Sequence, residues 1–190
     1  MPRVNAVRKP ADYLGALDNT AKNDVEALFA RLCPGEAEPA FKGGQLGWGV
    51  MAAQSPRLAM LVADLTFYIA REMAWCQRRD LRELAIQSVN FHFRSGFSFQ
   101  SHWAQAQAAG LTAEQIAAIP YWQTTTVFDD EQRLVIEYAL AVASGDVPDA
   151  LFGKVVARYG EKGTIEFTTV VAHWSFWAMI GNALRPGDGA

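Results

Sequence analysis

Cysteine is scarce in this chain. Only Cys33 and Cys76 occur in 190 residues, and neither has a partner at redox or metal-ligand spacing. A disulfide framework is thereby excluded, and isolated cysteines of this kind normally act as small buried apolar residues rather than nucleophiles. A cationic cluster is also missing. Seventeen Lys and Arg against 20 Asp and Glu leave a net charge of -3, and no basic run could follow a phosphate backbone, so no nucleic-acid partner is expected. The most hydrophobic stretch, residues 167–180, is interrupted by Thr168, Thr169, His173 and Ser175 and is shorter than the roughly 20 residues of a membrane span. The first five residues lack the apolar run of a secretory leader. These absences predict a cytoplasmic protein with no membrane partner. No useful run of period-two alternation appears, which argues against β-strands.

What is present is helical periodicity in a chain that is 51% apolar and 19% charged, a composition that supports a buried core. Ser55-Pro56 marks a helix start, followed by an apolar stripe of Leu58, Leu61, Val62, Leu65, Ile69 and Met73 on a helix expected to reach about Gln77. Asp80 and Glu83 stand at capping-box spacing and open a helix with the apolar face Leu81, Leu84, Ala85, Ser88, Val89 and His92. Gly96 interrupts that pattern, and the next helix should end at Gly110. Thr112 with Gln115 and Asp129 with Gln132 open two more, the first stopped by Pro120 and the second reaching about Ser144. One helix is expected from Asp149 to Gly160 and a long apolar one over 163–184. The prediction is an all-α fold. Residues 1–45 form an N-terminal arm and linker, helical over 23–32 and jointed at 41–45; residues 46–185 form the main domain, and 186–190 a frayed tail.

Several polar residues stand out. With residues 95–102 helical, Ser95, Ser98 and His102 share a face, and His102 is suited to proton transfer near neutral pH. Glu83, Gln87, Asn90 and Arg94 recur on one side of the preceding helix. Such a stripe is ordinarily solvated, but it could line a polar pocket in which the planar guanidinium of Arg94 anchors a carboxylate. Glu83 could equally do no more than cap its own helix, and Ser95 and Ser98 no more than cap theirs. Phe97 lies among Phe91, Phe93, Phe99 and Trp103, where a pocket would suit a flat substrate with one or two polar anchors. His92, His102 and His173 lie on separate predicted helices without ligand spacing, so no metal site is expected.

The run from Arg82-Glu83-Leu84 through Ser95-Gly96-Phe97-Ser98 to His102 resembles the core motif of the carboxymuconolactone decarboxylase/AhpD-like family, whose peroxidase branch has cysteines where Ser95 and Ser98 stand. Ser55-Pro56-Arg57-Leu58, the segment from His102-Trp103-Ala104 to Gly110-Leu111-Thr112, Val147-Pro148-Asp149 and Thr164-Ile165-Glu166-Phe167 resemble further family segments in order. The resemblance spans about two thirds of the chain. It implies an AhpD-like helical bundle assembled as a homo-trimer or homo-hexamer, with Glu83 beside His102. Phe97 takes the place of the peroxidase branch's tyrosine.

A peroxidase needs an attacking and a resolving thiol, and serine replaces neither. The expectation is therefore a cofactor-free lyase of decarboxylase type, acting on a small carboxylated lactone or aromatic-derived acid. His102 would be the acid/base, Glu83 its orienter, Ser95 and Ser98 hydrogen-bond donors, Asn90 and Phe97 lining residues and Arg94 the carboxylate anchor. The alternative is a degenerate family member that binds a small ligand without turnover.

Overall fold

The computed structural model describes residues 3–15 and 19–187; part of the expected arm (1–2 and 16–18) and of the expected tail (188–190) lies outside them. Among the described residues there are eight α-helices and no strand: α1 Asn19–Leu32, α2 Leu46–Gln54, α3 Pro56–Arg71, α4 Arg79–His92, α5 Gly96–Ala108, α6 Ala113–Ala118, α7 Asp130–Ser144 and α8 Asp149–Leu184. The all-α expectation holds. No helix among these residues is long and apolar enough to cross a membrane.

The chain divides into two compact units, Met1–Phe67 with Ile180–Ala190, and Tyr68–Met179. In the first unit an extended N-terminal segment is tied in by its backbone: Val7 N–H donates to Gly49 O, and Phe41 N–H to Arg8 O. The rings of Phe29 and Phe41 stack at 3.8 Å within a core that includes Val25, Leu28 and Leu46. Helix α2 was not foreseen, because Gly47 and Gly49 lower the helical propensity of its sequence. Gly49 has a tertiary reason to be there: a Cβ at that position would lie 2.3 Å from the carbonyl oxygen of Val7.

The second unit is built around α4, which packs against α5 and α7 and is buried along nearly its whole length, from Leu81 to Asn90. Its apolar residues join Val135, Ile136 and Tyr138 of α7 and Phe167, Val170 and Val171 of α8 in one cluster. Trp75 stacks on Phe167 at 4.0 Å, and its backbone N–H donates to Glu166. The expected caps at Thr112 and Asp129 are formed, each side chain accepting from the backbone N–H three residues on.

Three local expectations are corrected. Helix α3 stops at Arg71, well before Gln77, and a 3-10 turn at Trp75–Gln77 follows. Its predicted stripe is the buried face only in part: Ile69 and Met73 are buried as expected, but Leu58, Leu61 and Leu65 are half-exposed, and Ala59 and Ala63 take the core in their place, since small side chains allow closer approach. His92, placed on the apolar face of α4, is exposed.

The two helices expected on either side of Gly160 run on as α8, with a break at that residue (φ 70°, ψ 173°). This backbone region is essentially glycine-only. A Cβ there would meet no neighbour, so the constraint is conformational alone. Gly160→Ala is expected to lower unfolding free energy by about 1–3 kcal/mol in chemical denaturation. A change within error of zero would mean that the break relaxes at no cost.

Candidate functional site

Glu83, in the second turn of α4, is almost fully buried, with only 2% of its side chain exposed. It does not cap its own helix. Arg78 occupies the N-cap position, and Asp80 pairs with the Arg78 guanidinium at 2.8 Å instead of closing a capping box. The Glu83 carboxylate turns inward and is held from two sides. Oε1 accepts from Arg82 Nε at 3.2 Å and Nη2 at 3.0 Å, while Oε2 accepts from His102 Nδ1 at 2.9 Å. Neighbours in a helix do not normally face each other. Here the Arg82 fork folds back over Glu83 and is steadied by a bond from Nη1 to the Ala70 carbonyl at 2.9 Å.

Burial on its own would push the Glu83 carboxyl's pKa up. Hydrogen bonding from His102, together with the charge and hydrogen bonds of Arg82, more than offsets this and holds it below the ordinary value. A buried carboxylate is tolerated when it is paired and hydrogen-bonded in this way.

The second ring nitrogen of His102 has a partner that the sequence did not reveal. Trp174 Nε1 on α8 donates to His102 Nε2 at 3.0 Å. An indole N–H can only donate, so Nε2 carries a lone pair and the proton sits on Nδ1, facing Glu83. The two partners thus select a single tautomer of the ring. Trp174 stands 72 positions from His102 in a stretch that reads only as apolar core, and no spacing rule could have joined them.

The rest of the polar stripe divides. Gln87 and Asn90 are buried rather than solvated, because α4 is enclosed on most sides. Asn90 Nδ2 donates to Gln87 Oε1, and Gln87 Nε2 donates to the Phe99 carbonyl, which ties α4 to α5. Asn90 Oδ1 has no hydrogen-bond partner. Ser95 occupies the N-cap position of α5 but makes no side-chain cap; its hydroxyl is buried and likewise without a partner. Ser98 is buried one turn on, and Phe97 is half-buried.

Arg94 does not join this group. It is exposed, in a left-handed conformation (φ 52°), and lines a groove of about 570 Å³ with Phe91, His92, Trp122, Gln123 and Leu140. Neither Glu83 nor His102 lines that groove. Among the described residues no group of three or more His, Cys, Asp or Glu side chains is placed to hold a metal ion.

No protein-family model matches the chain. It is similar to the protein described as "Uncharacterized protein YdfG" of Bacillus subtilis (strain 168), with 20% identity over 133 residues, 68% of this chain and 88% of that protein. That description names no activity, so the functional argument rests on the geometry.

Both thiols and one further histidine titrate unusually. Cys76 is fully buried and its thiol is pushed up to about 12, chiefly by desolvation; burial also raises Cys33. Both thiols should resist a disulfide reagent in mildly alkaline buffer and react only after unfolding. Fast reaction of either in the native protein would revive a thiol-based reading.

His173, adjacent to Trp174, is buried and accepts from Trp177 Nε1 at 3.2 Å. Desolvation lowers its pKa from 6.5 to about 4. The unfolded chain then binds a proton that the native state does not, so stability falls as pH drops from 6.5 to about 4. At about 1.4 kcal/mol per unit the cost is roughly 3 kcal/mol, and His173→Gln should flatten that slope in urea titrations. An unchanged slope would show that His173 is not its source.

Proposed function

We propose that the chain is a member of the carboxymuconolactone decarboxylase/AhpD-like family that lacks the motif cysteines and works as a cofactor-free lyase or a related proton-transfer enzyme, on a small carboxylated lactone or aromatic-derived acid. The observation that carries this reading is the 2.9 Å bond between Glu83 and His102, at the two positions where the family motif requires its carboxylate and its histidine. A pair of this kind fixes the imidazole's orientation and stabilises the imidazolium formed during proton transfer. Losing a capping role strengthens the case for Glu83, because its carboxylate serves only Arg82 and His102.

In decarboxylation the carbon–carboxylate bond breaks, its electron pair remains on the substrate as an enolate, and carbon dioxide leaves. His102 draws the one proton consumed from solvent and delivers it to carbon from Nε2. Developing negative charge on the enolate oxygen calls for donors, and the buried, unpartnered hydroxyl of Ser95 is the first candidate, with Ser98 one turn away. The free acceptor of Asn90 would orient a substrate hydroxyl. Buried polar atoms in native proteins almost always have partners, and a bound ligand would provide them. Arg94, in its separate groove, drops out as the carboxylate anchor in this reading. An imidazole whose Nε2 is an acceptor also suits isomerisation or hydration, which begin with proton removal.

Assembly belongs to the same reading. The half-exposed Leu58, Leu61, Leu65 and Tyr68 on one side of α3 are the kind of apolar surface that contact between copies covers, in keeping with a homo-trimer or homo-hexamer. A cytoplasmic location is likewise part of the proposal.

One observation favours a non-catalytic ligand binder: both nitrogens of His102 are already engaged by the protein itself. The test separates the two. Carbon dioxide release and loss of ultraviolet absorbance are followed across carboxylated unsaturated lactones and phenolic acids for wild type and His102→Ala. Turnover by wild type that falls by about 10²–10⁴-fold in the variant is the expected result. Full turnover in His102→Ala would overturn the role of His102, and binding without turnover would favour the ligand binder.

A further inference from the structure

We propose that Trp174 is a positioning residue that masks the reactive nitrogen of His102 in the resting protein, and that only a ligand bearing an acceptor oxygen can lift the mask. The proposal rests on the reading of His102 as the acid/base.

With Nδ1 committed to Glu83, Nε2 carries the only lone pair of the ring. That lone pair is held by the Trp174 indole N–H at 3.0 Å, with the two rings nearly perpendicular, at 80°. The indole is not a loose surface group. Trp174 is buried on α8 and packs edge-on against His173, which in turn accepts from Trp177. A base whose only lone pair lies in a hydrogen bond cannot take up a proton until that bond opens.

Trp174 is buried and His102 is 20% exposed, so an apolar ligand that opens the bond leaves the indole N–H and Nε2 without partners and gains nothing by intruding. A carbonyl or carboxylate oxygen accepts the indole N–H in exchange and frees Nε2 at the same moment. The freed indole then stands as a donor beside the atom on which negative charge develops. The mask thus selects for the class of substrate the chemistry needs, and it keeps the imidazole from casual protonation or acylation when no such substrate is bound.

Diethyl pyrocarbonate tests the mask without any substrate, since the lone pair of an unprotonated imidazole attacks its carbonyl and ethyl carbonate leaves. Peptide mapping resolves the histidines, and exposed His92 serves as an internal control. In Trp174→Phe, modification of His102 is expected to be about ten-fold faster than in wild type, the equilibrium weight of one neutral hydrogen bond, with the His92 rate unchanged. Equal His102 rates in the two proteins would overturn the mask.

Should the variant fail to fold, wild-type protein with ¹⁵N-labelled histidine decides. Nδ1 protonated and Nε2 an unprotonated, hydrogen-bonded acceptor is the expected signature; a protonated or unbonded Nε2 overturns the proposal. Either readout is independent of turnover. An intact mask together with full activity in His102→Ala would leave the mask standing and remove the acid/base reading.

Discussion

The buried carboxylate of Glu83 constrains everything around it. An ionised group on a helix buried along most of its length must be paired on each oxygen, and the protein meets that demand with a guanidinium on one and an imidazole on the other. The Arg82 fork must fold back along its own helix, which engages the Ala70 carbonyl. The imidazole must offer Nδ1–H, which turns Nε2 into an acceptor and brings in Trp174. Three side chains and a backbone carbonyl thus follow from one desolvated charge. Their order reads as a chain of donors and acceptors from Arg82 to Trp174 with no unsatisfied member.

The structure separates what local sequence can show from what it cannot. The caps at Thr112 and Asp129 were legible because both partners lie within one turn of chain. The same signal misled at Asp80 and Glu83: the spacing fits a capping box, but Asp80 is drawn to Arg78 and Glu83 to the interior. Tertiary demand for a carboxylate outweighs a local bond that water could replace. Likewise the α3 stripe has helical period, yet period cannot say which face is buried, and the alanines at 59 and 63 take the core. The Glu83–His102 pairing was anticipated through family resemblance, whereas Trp174, distant in sequence and chemically plain, was not. Arg94 shows the converse error: helical spacing kept it in line with Glu83 only so long as the helix lasted, and α4 ends at His92.

Ser95 and Asn90, together with the Trp75 indole N–H, are places where the internal hydrogen-bonding pattern among the described residues is incomplete. Against the fully paired Glu83 and His102, the two buried unpartnered oxygens of Ser95 and Asn90 are conspicuous. They lie at the end of α4 and the start of α5, joined through the backbone by the bond from Ser95 N–H to Asn90 O. The junction therefore combines rigid backbone with open polar valence, the combination that binding of a small polar molecule exploits.

The break at Gly160 also reorganises the electric field of α8. Peptide dipoles add only while they stay aligned, so an interruption of helical geometry splits one long macrodipole into two shorter ones arranged in series. A negative end forms just before the break and a positive end just after it. Arg158 stands at the first and Glu161 at the second, each of the sign that such an end favours. In an unbroken helix both charges would sit mid-span and gain nothing from the dipole. The glycine thus makes complementary end groups of Glu161 and of Arg158, which also pairs with Glu131 at 2.8 Å.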